Sequence, residues 1–316
     1  MIDIYRTEGD ALLTLQAVEP GCWVKITAPN INELSDFARI WEIDSDYLRA
    51  ALDEEETARI ESEDGQTLIV VDIPILDETN PATDDHTPST MFTTIPLAII
   101  MLEELIITIC LEEETFLDDF VKQRVKNFYT YYKTRFVLQI LYRNASVYMQ
   151  DLRLIEKSTA RLESGLLKSL RNRELTELMH MEQSLVYLAT SLQANGVVLE
   201  KMVRYPHIKQ YPEDSDLLDD VIIENRQAIE MANIYRSILQ TQMQAFASIV
   251  SNNQNNVMKI LTSATIVMTI PQIISGFMGM NVRLPFQGPL GALWLAVLTI
   301  IVAALVVIIL KQRDMF

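Results

Sequence analysis

Between Asn255 and Gly279 the chain sets small or polar residues at a fixed interval. Asn255, Met258, Thr262, Thr265, Thr269, Gln272, Gly276 and Gly279 follow one another in alternating steps of three and four. That is a seven-residue repeat, which keeps one face of a helix turned toward a common axis. The chemistry on this face is neutral oxygen chemistry, from hydroxyls and carboxamides. Ile260, Ile266, Val267, Ile270, Ile273 and Ile274 fill the intervening positions, so the row is set in an otherwise apolar helix. Two readings fit it. Small residues let helices approach closely, with hydroxyls bonding across the contact. Alternatively, polar groups within a bilayer turn toward a watery cavity. Gln272 is too long for a close-packed seam and favours the second. One helical hairpin cannot enclose a channel, so a pore requires several copies about an axis.

The elements that must hold this row are two lipid-length segments. Ile260–Val282 carries no charge, and neither does Leu290–Leu310. Each has about twenty residues, enough to cross a ~30 Å hydrocarbon core. Arg283 is the one charged residue between Ile260 and Leu310, in a chain of 316 residues with a formal net charge of -17. So sharp a partition predicts an acidic soluble body attached to a membrane hairpin. Lys259 precedes the first segment, and Lys311 and Arg313 follow the second. The positive-inside tendency puts those ends, and both termini, in the cytoplasm. "MIDIYRTEGD" lacks the basic-then-apolar pattern of a cleavable leader. Cys22 and Cys110 stand far apart, with no CxxC spacing, as expected of a reducing compartment. The acidic balance excludes nucleic acid as a partner and favours cations.

The soluble part reads in two stages. "CWVKITAP", "ARIESED", "QTLIVVDIPIL", "FTTIPLAIIMLE" and "LIITICLE" are short β-branched runs bounded by turn residues, and predict strands. "NINELSDFARIW" and "DSDYLRAALDEEE" have helical spacing, the second capped by Asp44 or Ser45. The polar stretch 77–90, with His86 beside Asp84 and Asp85, predicts a solvated hairpin connection rather than a metal site. From about Glu114 the pattern predicts helix, in runs over 130–171 and 173–204. A third run extends from Asp214 to about Phe277, interrupted only by Pro271. At 1.5 Å per residue the third is on the order of 95 Å long, and must pack against neighbours or copies of itself. The expected divisions are an α/β domain over 1–125, a helical layer and stalk over 126–257, and a membrane hairpin over 258–316.

"NNVMKILT" at 255–262, the apolar run, "GFMGMN" at 276–281, a short loop, a second span and a basic tail together resemble the CorA family of magnesium channels. The family's signature, Gly-Met-Asn at the outer end of the first span, matches Gly279, Met280 and Asn281. Two features depart from it. Met278 stands where the family commonly has an aromatic residue, and the outer loop "VRLPFQGPL" carries Arg283 and no carboxylate. The resemblance implies an α+β cytoplasmic domain, a long stalk helix and two C-terminal transmembrane helices, assembled as a homopentameric funnel in the cell membrane. It implies potential-driven Mg²⁺ uptake, with Co²⁺ and Ni²⁺ as possible further cargo, and no organic cofactor. Gly279, Met280 and Asn281 form the selectivity filter in this reading, and the row from Asn255 to Gly276 lines the pore. Met258 and Leu261 act as an apolar gate.

The family also binds regulatory Mg²⁺ between subunits. The aspartate at the matching distance before the first span is Asp220, with Asp219 beside it; Asp53 and Glu54 are the candidate partners. The plainer reading is that this acidic run starts and solvates a helix. Two rivals remain: a related Zn²⁺ transporter, against which the scattered His86, His180 and His207 weigh, and a membrane-anchored oligomeric sensor without flux. No nucleophile–base pair or phosphate-binding glycine loop points to an enzyme.

Overall fold

The computed structural model describes residues 1–9, 11–76, 91–166, 172–204, 212–280, 291–313 and 315. They fall into two compact units, Met1–Thr241 and Gln242–Phe316. In the first unit, β1 (Ile2–Glu8), β2 (Ala11–Leu15) and β3 (Trp23–Thr27) precede α1 (Ile31–Ile40) and α2 (Ser45–Ala51). Next come β4 (Arg59–Glu63), β5 (Gln66–Leu76), β6 (Phe92–Met101) and β7 (Ile106–Cys110). Helices α3 (Asp118–Val121), α4 (Lys133–Leu166), α5 (Asn172–Met202) and α6 (Pro212–Met278) follow. The seven strands form one sheet in the order β2-β1-β3-β7-β6-β5-β4. Neighbours are antiparallel except β3 and β7, whose register aligns Trp23 with Ile106 and Thr27 with Cys110.

Alternation along the strands divides the core. Leu68, Val70, Ala98 and Ile100 point to the face covered by Leu34, Ala38, Tyr47 and Ala50 of α1 and α2. Ile69, Val71, Leu97 and Ile99 point the other way, toward Phe136 and Ile140 of α4, Val198 and Met202 of α5, and Leu218 and Val221 of α6. The predicted strands β3–β7 and both short helices are thus present. Asp44 caps α2, accepting from the Asp46 N–H at 2.8 Å.

One region differs from expectation. The stretch from Glu114 to Tyr132 is not continuous helix; it holds one short turn of helix and a series of bends. Gln123 and Asn127 adopt positive φ of 53° and 54°, which no α-helix accommodates. Their bends tuck Phe120 and Phe128 against Trp23 and Phe136, with the Phe136 and Trp23 ring centroids 5.0 Å apart. At the N-terminal edge of the sheet, which the sequence reading did not assign, Ile4 pairs with Leu15 in a hairpin and with Val24 on its other side.

The densest tie between the helical layer and the sheet is at one partly buried backbone position, that of Asp72. Strand β4 pairs with β5 only as far as Arg59↔Val70, leaving Asp72 without a strand neighbour on that side. Asn195 of α5 replaces it. Its Oδ1 accepts from the Asp72 N–H and its Nδ2 donates to the Asp72 carbonyl, both at 2.8 Å. Asn144 and Tyr148 of α4 donate to the same carbonyl. Buried backbone groups left unpaired are costly, and these side chains remove that cost. Farther along α4, burial lifts the Asp151 carboxyl to about 7.

The second unit holds the C-terminal part of α6 and helix α7 (Gly291–Gln312). Both helices are long and apolar enough to cross a membrane. Pro271 lies inside α6, which continues through it to Met278. The 77–90 connection with His86, as well as His207, Asn281 and the outer loop with Arg283, lies outside the described residues.

Candidate pore and regulatory residues

Asn255, Met258, Thr262, Thr265, Thr269, Gln272 and Gly276 all lie on α6 and all are exposed, as is Leu261 at 59%. Gly279 and Met280 follow the last helical residue and are exposed too. The Gly279 N–H still bonds the Ser275 carbonyl at 3.0 Å, and the Met280 N–H reaches that of Phe277 at 3.4 Å, so the chain leaves the helix here. A side chain added at Gly276 would meet nothing within 4 Å among the described residues.

The less exposed positions of the first span form a separate stripe: Ser263, Val267, Ile270 and Ile274. At 100° per residue this stripe lies roughly 150° around the helix from the polar row. On α7, Leu295, Thr299, Ala303, Val306 and Leu310 form the corresponding less exposed stripe. The first span therefore shields one face and leaves the Thr/Gln face without a partner from α7.

Hydroxyl geometry gives the row a definite polarity. Thr265 donates to the Leu261 carbonyl at 2.8 Å, and Thr269 donates to the Thr265 carbonyl at 2.7 Å. Each hydroxyl spends its single proton on its own helix, which leaves its lone pairs to accept from outside. The exposed edge at Thr265 and Thr269 is thus an acceptor edge. Waters held by a cation turn their hydrogens outward, and such an edge suits them.

Counting back from Asn255 at the same spacing, by whole heptads, reaches Asp220. Ser248, Thr241, Ile234 and Gln227 fall on the way, and all five are exposed. The opposite face of this part of α6 is buried through Leu218, Val221, Ala228 and Ala232. Asp219 is also exposed, as are Asp53 and Glu54 beyond the end of α2. The Asp53 carboxylate accepts from the Glu55 N–H at 3.0 Å, a local turn bond. Among the described residues, no group of three or more His, Cys, Asp or Glu is placed to hold a metal ion. A single chain does not complete a site from the four carboxylates. A feature the sequence pattern left unmarked is Ser263, fully buried in a span whose other described side chains are exposed or only partly shielded.

A family model described as CorA-like Mg²⁺ transporter protein matches residues 19–312. The cobalt/magnesium transport protein CorA of Methanocaldococcus jannaschii is 26% identical over 304 residues, which cover 92% of this chain and 90% of that protein. The complete structure of the CorA magnesium transporter from the same organism aligns with a TM-score of 0.84 at 23% identity, over 100% of this chain and 99% of that one. The ZntB cytoplasmic domain from Vibrio parahaemolyticus aligns with a TM-score of 0.58 at 8% identity, over 80% of this chain and 97% of that one. At such identities the structural likenesses speak for the fold alone.

Proposed function

The chain belongs to the CorA-like Mg²⁺ transporter family, and from that premise we propose that it forms a homopentameric channel for potential-driven Mg²⁺ uptake, passing Co²⁺ and Ni²⁺ as further cargo. The membrane is the cell membrane, with both termini on the cytoplasmic side. The observation that carries this reading is the exposed acceptor row on α6, turned away from the stripe that α6 shields. Copies arranged about an axis close that row into a water-lined path.

Mg²⁺ gives up its waters reluctantly. A ring of carboxylates at a narrow mouth would hold it too tightly, since conduction needs a site that is good enough to enter and weak enough to leave. The carboxamide oxygen of Asn281 accepts hydrogen bonds from the ion's waters without displacing them. Thr269, Thr265 and Thr262 continue the same acceptor chemistry inward, and Gln272 adds an amide. Met258 and Leu261 form an apolar constriction at the inner end, and Asn255 lies beyond it. A divalent cation moving inward gains roughly 4–5 kcal/mol per 100 mV, twice the single-charge value, so no ATP is needed.

Asp219 and Asp220 on one copy, with Asp53 and Glu54 on a neighbour, are suited to hold a regulatory Mg²⁺ between subunits. Without a cation between them these carboxylates repel, which loosens the assembly on its cytoplasmic side. The zinc reading has weaker support, because its structural likeness is more distant.

Flux into proteoliposomes, comparing Mg²⁺, Co²⁺ and Zn²⁺, tests the function. Asn281→Ala is expected to lower selective Mg²⁺ flux by more than about tenfold, the effect of losing 1.4 kcal/mol of ion stabilisation. Undiminished selective flux in that variant would remove Asn281 from the filter.

A further inference from the structure

Hydroxyls in the two spans follow a common habit, and Ser263 departs from it. Thr265, Thr269 and Ser275 donate to carbonyls four residues back on α6, and Thr299 does the same on α7. Ser263 instead donates across to the Met315 carbonyl at 2.7 Å, beyond the end of α7. Ser263 is 0% exposed, while its neighbours Thr262 and Ala264 are exposed. A small polar residue at a helix contact, bonding outside its own helix, ties two segments together.

The chain after α7 is shaped to receive that bond. The Arg313 N–H bonds the carbonyls of Ile309 and Leu310, and the Met315 N–H bonds that of Leu310 at 3.2 Å. The backbone curls back on the helix end and presents the Met315 carbonyl to Ser263. Met315 then lines one groove together with Asn252, Asn255, Met258 and Thr262 of α6. Three of those residues belong to the polar row.

We propose that Ser263 is a positioning residue that latches the C-terminal tail onto the first span and seats Met315 beside the inner mouth. The role in permeation rests on the channel reading above; the latch itself does not. With the bond made, the inner end of α6 and the tail move as one body, and Met315 narrows the approach to Met258. With the bond lost, the tail lifts out of the groove and the mouth opens to water.

The test uses full-length protein in proteoliposomes, with a reporter thiol from Asn252→Cys in the groove. The native thiols stay silent: both are buried, and burial drives the Cys110 thiol up to about 12 and that of Cys22 upward as well. Ser263→Ala is expected to raise the rate of labelling by a water-soluble maleimide about fivefold, the population shift carried by one ordinary hydrogen bond. Deleting Met315 and Phe316 should give the same increase, and combining the two changes should add nothing. Without the reporter, Mg²⁺ flux at a fixed gradient should rise by a similar factor in each variant. Labelling unchanged in Ser263→Ala, or two effects that multiply in the double variant, would overturn the latch. If the parent protein carries no divalent flux, the channel reading fails, while the labelling series still decides the latch on its own.

Discussion

The two units treat polar groups in opposite ways. In Met1–Thr241, polar groups at key core positions are paired within the chain. Asn195 takes the place of a missing strand beside Asp72, and Lys25 pairs with the buried Glu114 at 3.0 Å. In Gln242–Phe316, the row from Asn255 to Gly276 finds none within the chain's other span and stands exposed beside equally exposed isoleucines. Each unit therefore draws its stability from a different source. The first carries its own two-sided core. The second leaves both an apolar surface and a polar row, which in the proposed channel are met separately by lipid and by copies of the chain.

That contrast can be broken first where the soluble core is densest. Phe136 is fully buried among Trp23, Phe120 and Phe128. Phe136→Ala should destabilise the first unit by about 3–5 kcal/mol. Urea unfolding followed by tryptophan fluorescence measures this. A loss below about 1 kcal/mol would mean that the unit does not depend on its own core.

Asp151 sharpens the contrast through pH. Its carboxyl is raised by burial from 3.8 to about 7 in the folded state. The folded chain therefore holds this proton more tightly than the unfolded chain, and ionisation opposes folding. The penalty is absent below about pH 4, grows as pH rises toward 7, and is constant above that. Asp151→Asn should remove this dependence and stabilise the unit by at most about 4 kcal/mol at pH 8. Stability curves of parent and variant that run parallel from pH 4 to pH 8 would contradict the assignment.

The smallest expected effect separates the two spans. Thr269 and Thr299 make the same back-bond to a carbonyl four residues earlier, so replacing either by valine removes the same local interaction. Thr269→Val should lower Mg²⁺ flux about two- to fivefold, as the loss of one acceptor along the path predicts. Thr299→Val should leave flux unchanged. Equal effects in proteoliposomes would mean that the row on α6 is not the path.

Features that rest on period and composition could be read from the chain alone. Strands β3–β7, the long helices, the two spans and the heptad row were legible because alternation, 3.6-residue spacing and charge-free length are properties of contiguous residues. It also carried the family resemblance, concentrated in a motif at the outer end of the first span. Tertiary structure decided what depends on residues far apart. Gln123 and Asn127 interrupt a stretch with good helical spacing because the bends let Phe120 and Phe128 reach Trp23, which no local pattern records. Asn195 meets Asp72 because β4 stops short, a matter of strand register. Ser263 looks like one more small residue in an apolar run until the tail returns and offers it a carbonyl. Periodicity tells which face a residue occupies; what that face meets is set by the packing of distant segments.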